Sequence, residues 1–97
     1  QALREVDDQL ATLRTLAVEA TLRERALADA TRDVERAASM QAQGLSAADD
    51  ALLLRRAALR QQRALLQVQA AQHQATVGLV RALGGGWGDA PATVAQR

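Results

Sequence analysis

The sequence contains no cysteine, lysine, phenylalanine, tyrosine or isoleucine, and only one tryptophan, one histidine and one proline. Without cysteine, a disulfide framework and a thiolate metal site are both excluded. The single histidine, His73, excludes a histidine-rich metal site. One proline and few β-branched residues argue against a β-sandwich or barrel within this segment. We therefore expect no bound metal and no cofactor.

Alanine, leucine and glutamine dominate the 97 residues, with 23, 15 and 11 occurrences. A chain of this length forms one small domain at most. With one aromatic residue, a globular core would have to be built from alanine, leucine and valine alone. This composition is typical of long helices that depend on neighbouring helices. We therefore predict an all-α fold: a long antiparallel helical hairpin, of the coiled-coil kind, that associates into a larger helical bundle.

Charge is divided unequally between the two halves, although the net charge of the chain is only +1. Residues 1–50 hold ten acids and six arginines, whereas residues 51–97 hold one acid and six arginines. Halves of opposite sign attract when the chain folds back on itself. This weakly favours an antiparallel hairpin, because exposed ion pairs contribute only about 0–1 kcal/mol each.

The first predicted helix occupies residues 1–43, beginning near Ala2, because no glycine or proline interrupts this stretch. Its apolar positions alternate in steps of three and four, which is the repeat of a supercoiled seam. The predicted seam consists of Leu3, Val6, Leu10, Leu13, Ala17, Ala20, Glu24, Leu27, Thr31 and Val34. The small members would let a neighbouring helix approach closely.

A short turn is predicted at residues 44–46. Gly44 stands where a helix end needs a left-handed residue. Ser46 offers an N-cap oxygen, and Asp49, three residues later, completes a capping pattern. Asp49 and Asp50 also place negative charge at the start of the next helix, where the helix dipole favours it. So short a connection makes the two helices antiparallel neighbours.

The second predicted helix covers residues 47–83 and carries two apolar stripes. One repeats every seven residues and consists of Leu45, Leu52, Leu59, Leu66, His73 and Val80. The other consists of Leu54, Ala58, Leu65, Val68, Ala75, Leu79 and Ala82. Two stripes indicate two packing partners, so we expect further helices, and we expect an isolated fragment to dimerise. Glycines from Gly84 onward are expected to end the helix, leaving residues 84–97 as a glycine-rich tail.

The sequence offers no arrangement of catalytic residues. Adjacent aspartates, such as those at Asp49 and Asp50, point about 100° apart on a helix and form no acid–base dyad. No histidine or carboxylate lies four or seven residues from His73, which we interpret as a polar residue of a helix interface. Residues 84–86 follow no strand and precede no lysine, so they are not a phosphate loop. We predict that the chain is not an enzyme.

Nucleic acid and membrane are also excluded as partners of this segment. Arginines cluster at Arg55, Arg56, Arg60 and Arg63, but the net charge is small and no aromatic side chains are available to stack on bases. We interpret the cluster as a solvated face, partly paired with acids. The longest uncharged stretch, residues 64–80, holds too many glutamines to cross a bilayer. The first residue, Gln1, indicates a piece of a longer protein, and no signal peptide is visible in it.

Three segments resemble the outer membrane efflux factors, the TolC/NodT type of channel protein. Residues 2–10, Ala-Leu-Arg-Glu-Val-Asp-Asp-Gln-Leu, are similar to the helix entry of that family. Gly44-Leu45 is similar to the glycine-leucine turn at its periplasmic tip. Residues 82–87, Ala-Leu-Gly-Gly-Gly-Trp, are similar to the ending that follows the tip by about 40 residues. The resemblance covers residues 2–87. Two positions depart from it: Gln41 replaces an aromatic residue, and Leu53 replaces the second of two aspartates.

The resemblance implies a trimeric outer membrane duct with a periplasmic α-barrel, to which this chain contributes the second helical hairpin. The whole protein would export small molecules together with a periplasmic adaptor and an inner-membrane pump, and membrane contact would come only from other parts of the chain. By this resemblance the pore mouth and adaptor contacts lie at the turn, at Gly44, Leu45, Asp49, Asp50, Leu53 and Arg56. Asp50 falls on the first family aspartate and Arg56 on the family arginine, while Leu53 cannot serve as an acid there.

Two other interpretations of the pattern stay open. A stand-alone coiled-coil scaffold, or an adaptor hairpin, would explain the seam and the turn equally well. It would explain the glycine-tryptophan ending less naturally. A four-helix bundle that binds a ligand or metal would need inward glutamate and histidine at paired spacing, and the sequence does not contain that pattern.

Overall fold

Two long helices account for nearly all of the computed structural model, which describes residues 2–45 and 47–86. Helix α1 spans Ala2–Ala42 and helix α2 spans Ala48–Gly86, with 41 and 39 residues. The described residues contain no strand. The predicted all-α helical hairpin is confirmed. In this part of the chain, no helix is both long enough and apolar enough to cross a membrane.

The helix ends differ slightly from the predicted ones. Helix α1 ends one residue before the predicted boundary, at Ala42, and α2 starts one residue after its own, at Ala48. At the other end, α2 continues three residues beyond Leu83, to Gly86. Glycine weakens a helix by about 1 kcal/mol but keeps the N–H that proline lacks, so it does not by itself terminate one. Ser46 and residues 87–97, the rest of the predicted tail, lie outside the described residues.

The chain forms two compact units. The turn unit is Glu19–Val68, and it contains the end of α1, the connection and the first half of α2. The end unit combines Gln1–Val18 with Gln69–Arg97, and thus joins the start of α1 to the last part of α2. In each unit, a segment of α1 packs against a segment of α2.

The seam of the turn unit follows a heptad repeat on both helices. Buried and half-buried positions alternate in steps of three and four, as expected for supercoiled neighbours. On α1 they are Ala20, Arg23, Leu27, Ala30, Val34 and Ala37. On α2 they are Ala51, Leu54, Ala58, Gln61, Leu65 and Val68. Alanines supply most of the fully buried positions here, so the two helices can approach each other closely.

The end unit keeps the same repeat. On α1 the half-buried positions are Val6, Gln9, Leu13 and Leu16. On α2 the buried or half-buried positions of the repeat are Gln72, Ala75, Leu79 and Ala82. Ala75 and Ala82 are the buried core residues of this unit. Glutamine thus occupies seam positions on both helices of the end unit.

The predicted seam of α1 is right for one of its two rows and wrong for the other. The row Val6, Leu13, Ala20, Leu27 and Val34 lies in the seam. The row that begins at Leu3 and Leu10 is exposed, with Leu3 exposed to 80%. In the seam, a row that starts at Gln9 and includes Arg23 replaces it. The pattern of hydrophobic residues does not predict this row, because these two side chains are polar. Helix α1 thus presents this row to α2 in place of the row of Leu3 and Leu10. At Gln9 the longer polar side chain fits because Gly78 of α2 leaves room for it.

The two stripes predicted on α2 differ in burial. The stripe that runs from Leu54 to Ala82, hereafter the inner stripe, lies in the hairpin seam. Every member of the other one, hereafter the outer stripe, is exposed: Leu45, Leu52, Leu59, Leu66, His73 and Val80. His73 therefore takes no part in the contact between α1 and α2. The more leucine-rich stripe is the one that the hairpin leaves uncovered.

Ion pairs within the described residues do not join the two helices. The three that form all lie within α1, between Glu19 and Arg23, Asp29 and Arg32, and Asp33 and Arg36. Their separations of three or four residues are those of neighbours on one helix face. The expected pairing of the α2 arginines with acids is not seen. Apolar packing rather than charge attraction accounts for the hairpin in the part that the structure describes.

Candidate functional site

The end of α1 is closed by a Schellman motif. The amide of Leu45 donates to the carbonyl of Met40 at 2.8 Å, and the amide of Gly44 donates to the carbonyl of Gln41 at 3.0 Å. Gly44 has φ 76°, the left-handed conformation that this motif requires. The prediction of a left-handed glycine at this helix end is confirmed. The motif reverses the chain and leaves Leu45 near Met40.

The start of α2 carries two carboxylates. Asp49 and Asp50 both lie in its first turn, where the dipole favours negative charge, as predicted. Ser46, the predicted N-cap, lies outside the described residues. The amide of Ala51 donates to the carbonyl of Ala47 at 3.4 Å, so the helical hydrogen-bond pattern begins there.

A groove of about 430 Å³ opens beside this turn, within the turn unit. It is lined by Asp33, Arg36, Ala37, Met40, Leu45, Asp50 and Leu54. The apolar members come from both helices and from the turn itself. Two carboxylates and one guanidinium stand around them, and Nη1 of Arg36 lies 3.5 Å from Oδ1 of Asp33. Apolar surface edged with charges of both signs suits contact with protein side chains better than covalent chemistry.

Two of the six predicted site residues, Leu45 and Asp50, line this groove together. Gly44 shapes the turn without lining the groove, and its missing Cβ faces open space, with nothing within 4 Å. The other three are exposed and lie outside the groove: Asp49, Leu53 and Arg56. Leu53 is 60% exposed, so its position suits a surface contact.

Five further groove residues were missed by sequence reasoning: Asp33, Arg36, Ala37, Met40 and Leu54. Four of them belong to α1, which carried no turn signal of its own before Gly44. Their signal is positional, because the last three turns of α1 must lie beside the first turns of α2 once the chain reverses. The fifth, Leu54, was predicted as part of a stripe but not as part of the site.

Among the described residues, no group of three histidine, cysteine or acidic side chains is placed to hold a metal ion. Protein-family models, curated proteins and solved structures were all compared with this chain, and none of them matches it.

Proposed function

We propose that this chain is a helical hairpin from the periplasmic duct of an outer membrane efflux protein. In that role it forms part of the wall and the tip of a passive conduit and catalyses no reaction. The whole protein is a trimer that works with a periplasmic adaptor and an inner-membrane pump. The proposal rests on the resemblance of residues 2–10, 44–45 and 82–87 to the outer membrane efflux factors. It places the segment in the periplasm of a Gram-negative cell.

The observation that carries the proposal is the exposed outer stripe of α2. Large apolar side chains seldom remain uncovered in a row on a finished surface, and such rows mark contacts with other protein. A duct wall is built from hairpins laid side by side, so each helix needs a second apolar face beyond the one that pairs it with its own partner. The hairpin has such a face.

The turn supplies the proposed pore mouth and adaptor contacts. Leu45 and Asp50 border the groove, and Leu53 and Arg56 stand exposed nearby in the sequence. With leucine at position 53, an acidic ring at the mouth would depend on Asp50. We therefore assign Leu53 to an apolar contact with the adaptor.

Two experiments test the proposal. The first is to read the gene on both sides of the segment, where we expect an export signal, strand-forming segments and an earlier copy of the hairpin. The second uses the absence of cysteine from this segment. A Leu45→Cys variant of the full gene product, with any cysteine outside the segment replaced by serine, should react with a membrane-impermeant maleimide once the outer membrane alone is permeabilised.

Labelling only after lysis of the inner membrane would place the hairpin in the cytoplasm and reject the efflux role. The alternative, a stand-alone coiled-coil scaffold or adaptor hairpin, would then take its place. An Ala37→Cys variant provides the matched control, because Ala37 is 6% exposed and should react slowly wherever the hairpin lies.

A further inference from the structure

Three leucines of the outer stripe form an exposed row within the turn unit. Leu52, Leu59 and Leu66 are 46%, 51% and 57% exposed. They are seven residues apart, so each lies two helical turns from the next on one side of α2. A strict seven-residue repeat matches a second helix that supercoils with the first. A helix lying on a flat surface would instead show a wider apolar face with a period of 3.6.

Arginines stand on both sides of this row. Arg55 and Arg56 lie between Leu52 and Leu59, three or four residues from each, and Arg63 lies between Leu59 and Leu66 in the same way. Side chains at these separations are surface neighbours on a helix. All three arginines are exposed, and none forms an ion pair with another described residue. No acid occurs from position 51 to position 68.

A second copy of the chain does not supply a matching surface. An antiparallel α2 centred on Leu59 would bring Arg55 of one copy opposite Arg63 of the other, and like charges repel. Helix α1 of a second copy has no row of three such residues, because exposed Leu3 and Leu10 are followed at the same spacing by Ala17 and Glu24. In its turn unit the exposed large apolar residues are Leu22 and Met40. These two are eighteen residues apart and do not repeat.

We infer that Leu52, Leu59 and Leu66, with their flanking arginines, form a docking face for an acidic amphipathic helix of different sequence. Such a helix would present large apolar side chains in a heptad row and glutamate or aspartate on both flanks. The leucines would lose their contact with water, and the carboxylates would pair with Arg55, Arg56 and Arg63. The proposed duct role gives this same face to a neighbouring helix, and the inference states what that neighbour is: an acidic helix of different sequence and not a second copy of this one. The binding test does not depend on the duct role, because it measures the face directly in whatever compartment the hairpin works.

The test measures binding of a synthetic helix to the full chain by fluorescence anisotropy. The probe has about four heptads, with leucine in the row and glutamate on both flanks. The matched probe carries lysine in place of glutamate. We expect saturable binding of the glutamate probe and at least about tenfold weaker binding of the lysine probe. Raising the salt from about 0.05 to about 0.5 M should weaken the glutamate complex, because exposed ion pairs are screened.

Two substitutions test which residues form the docking face. Leu59→Glu should weaken binding of the glutamate probe at least about tenfold. Leu22→Glu should leave binding unchanged, because Leu22 is also exposed, to 58%, but lies on α1, outside the leucine row and its flanking arginines. Circular dichroism on both variants checks that helicity is kept.

Four results would overturn the inference. The first is equal binding of the two probes, and the second is equal damage by the two substitutions. The third is stronger binding of the chain to phosphatidylglycerol vesicles than to the glutamate probe, which would assign the face to a membrane surface. Self-association that displaces the probe, detected by sedimentation equilibrium, would assign it to a second copy and likewise reject it.

Discussion

The side chain of Gln9 lies directly over Gly78 in the end unit. A Cβ placed on Gly78 would come within 3.0 Å of both Cδ and Nε2 of Gln9. Gln9 occupies a seam position on α1, and Gly78 leaves the space that its amide group fills. This pairing explains how one of the polar side chains in the seam is accommodated between the two helices.

The first prediction concerns Gly78→Ala. Alanine is favoured over glycine in a helix by about 1 kcal/mol. Part of that gain is lost because the end of Gln9 must move by a few tenths of an ångström, but only flexible side-chain atoms are in the way. We expect a net stabilisation of about 0.5 kcal/mol in urea unfolding. In a Gln9→Ala background, the stabilisation by Gly78→Ala should rise toward the full propensity difference of about 1 kcal/mol. The same stabilisation in both backgrounds would mean that the contact between Gln9 and position 78 does not affect stability.

A second prediction concerns the left-handed Gly44. Gly44→Ala should destabilise the hairpin by about 1–2 kcal/mol, because an L residue is strained at positive φ although space for its Cβ is free. Gly84→Ala is the matched control. Gly84 also has open space around its missing Cβ but lies within α2, so alanine there should stabilise or be neutral. Thermal unfolding followed by circular dichroism distinguishes the two.

The two stripes of α2 should differ in energetic importance. Val68 is 5% exposed in the seam, whereas Leu66, two residues earlier, is exposed on the outer stripe. Val68→Ala should cost about 1–2.5 kcal/mol through lost burial and the cavity left behind. Leu66→Ala should change stability by less than about 0.5 kcal/mol. Equal losses for the two variants would contradict the assignment of the inner stripe to the seam.

A buried polar atom provides a fourth prediction. Oε1 of Gln61 is buried in the turn unit and has no hydrogen-bond partner among the described residues. Gln61→Met keeps the length of the side chain and removes the unsatisfied carbonyl, so we expect stabilisation of about 1 kcal/mol. Gln62, the next residue, is exposed, and Gln62→Met should be neutral. Chemical denaturation of both variants provides the comparison.

The last prediction separates Leu53 from Leu54 at the site. Leu53→Asp should cost less than about 1 kcal/mol, mainly through the lower helix propensity of aspartate. Leu54→Asp should cost about 2 kcal/mol or more, because Leu54 is half-buried at the groove and the new carboxylate would gain no partner of opposite charge there except Arg36. A large loss for Leu53→Asp would show that it packs in a core.

Sequence alone was sufficient for the two helices and for the turn between them. The long stretch without glycine or proline predicts α1, because these two residues weaken the interior of a helix more than any others. Gly44 predicts the reversal, because few other residues adopt its backbone conformation without strain. The groove was predicted only in part. Leu45 and Asp50 adjoin the turn in sequence, whereas Asp33 and Arg36 reach it only through the pairing of the two helices.

Only the tertiary structure decided which faces of the helices meet. The competing rows of α1 share one seven-residue period, and so do the two stripes of α2, so periodicity cannot choose between them. The sizes of the facing side chains determine which row and which stripe meet. The inner stripe of α2 alternates alanines with larger residues, and the buried alanines let α1 approach closely. Gly78 admits Gln9, whereas the bulky outer stripe would hold the helices apart and therefore remains on the surface.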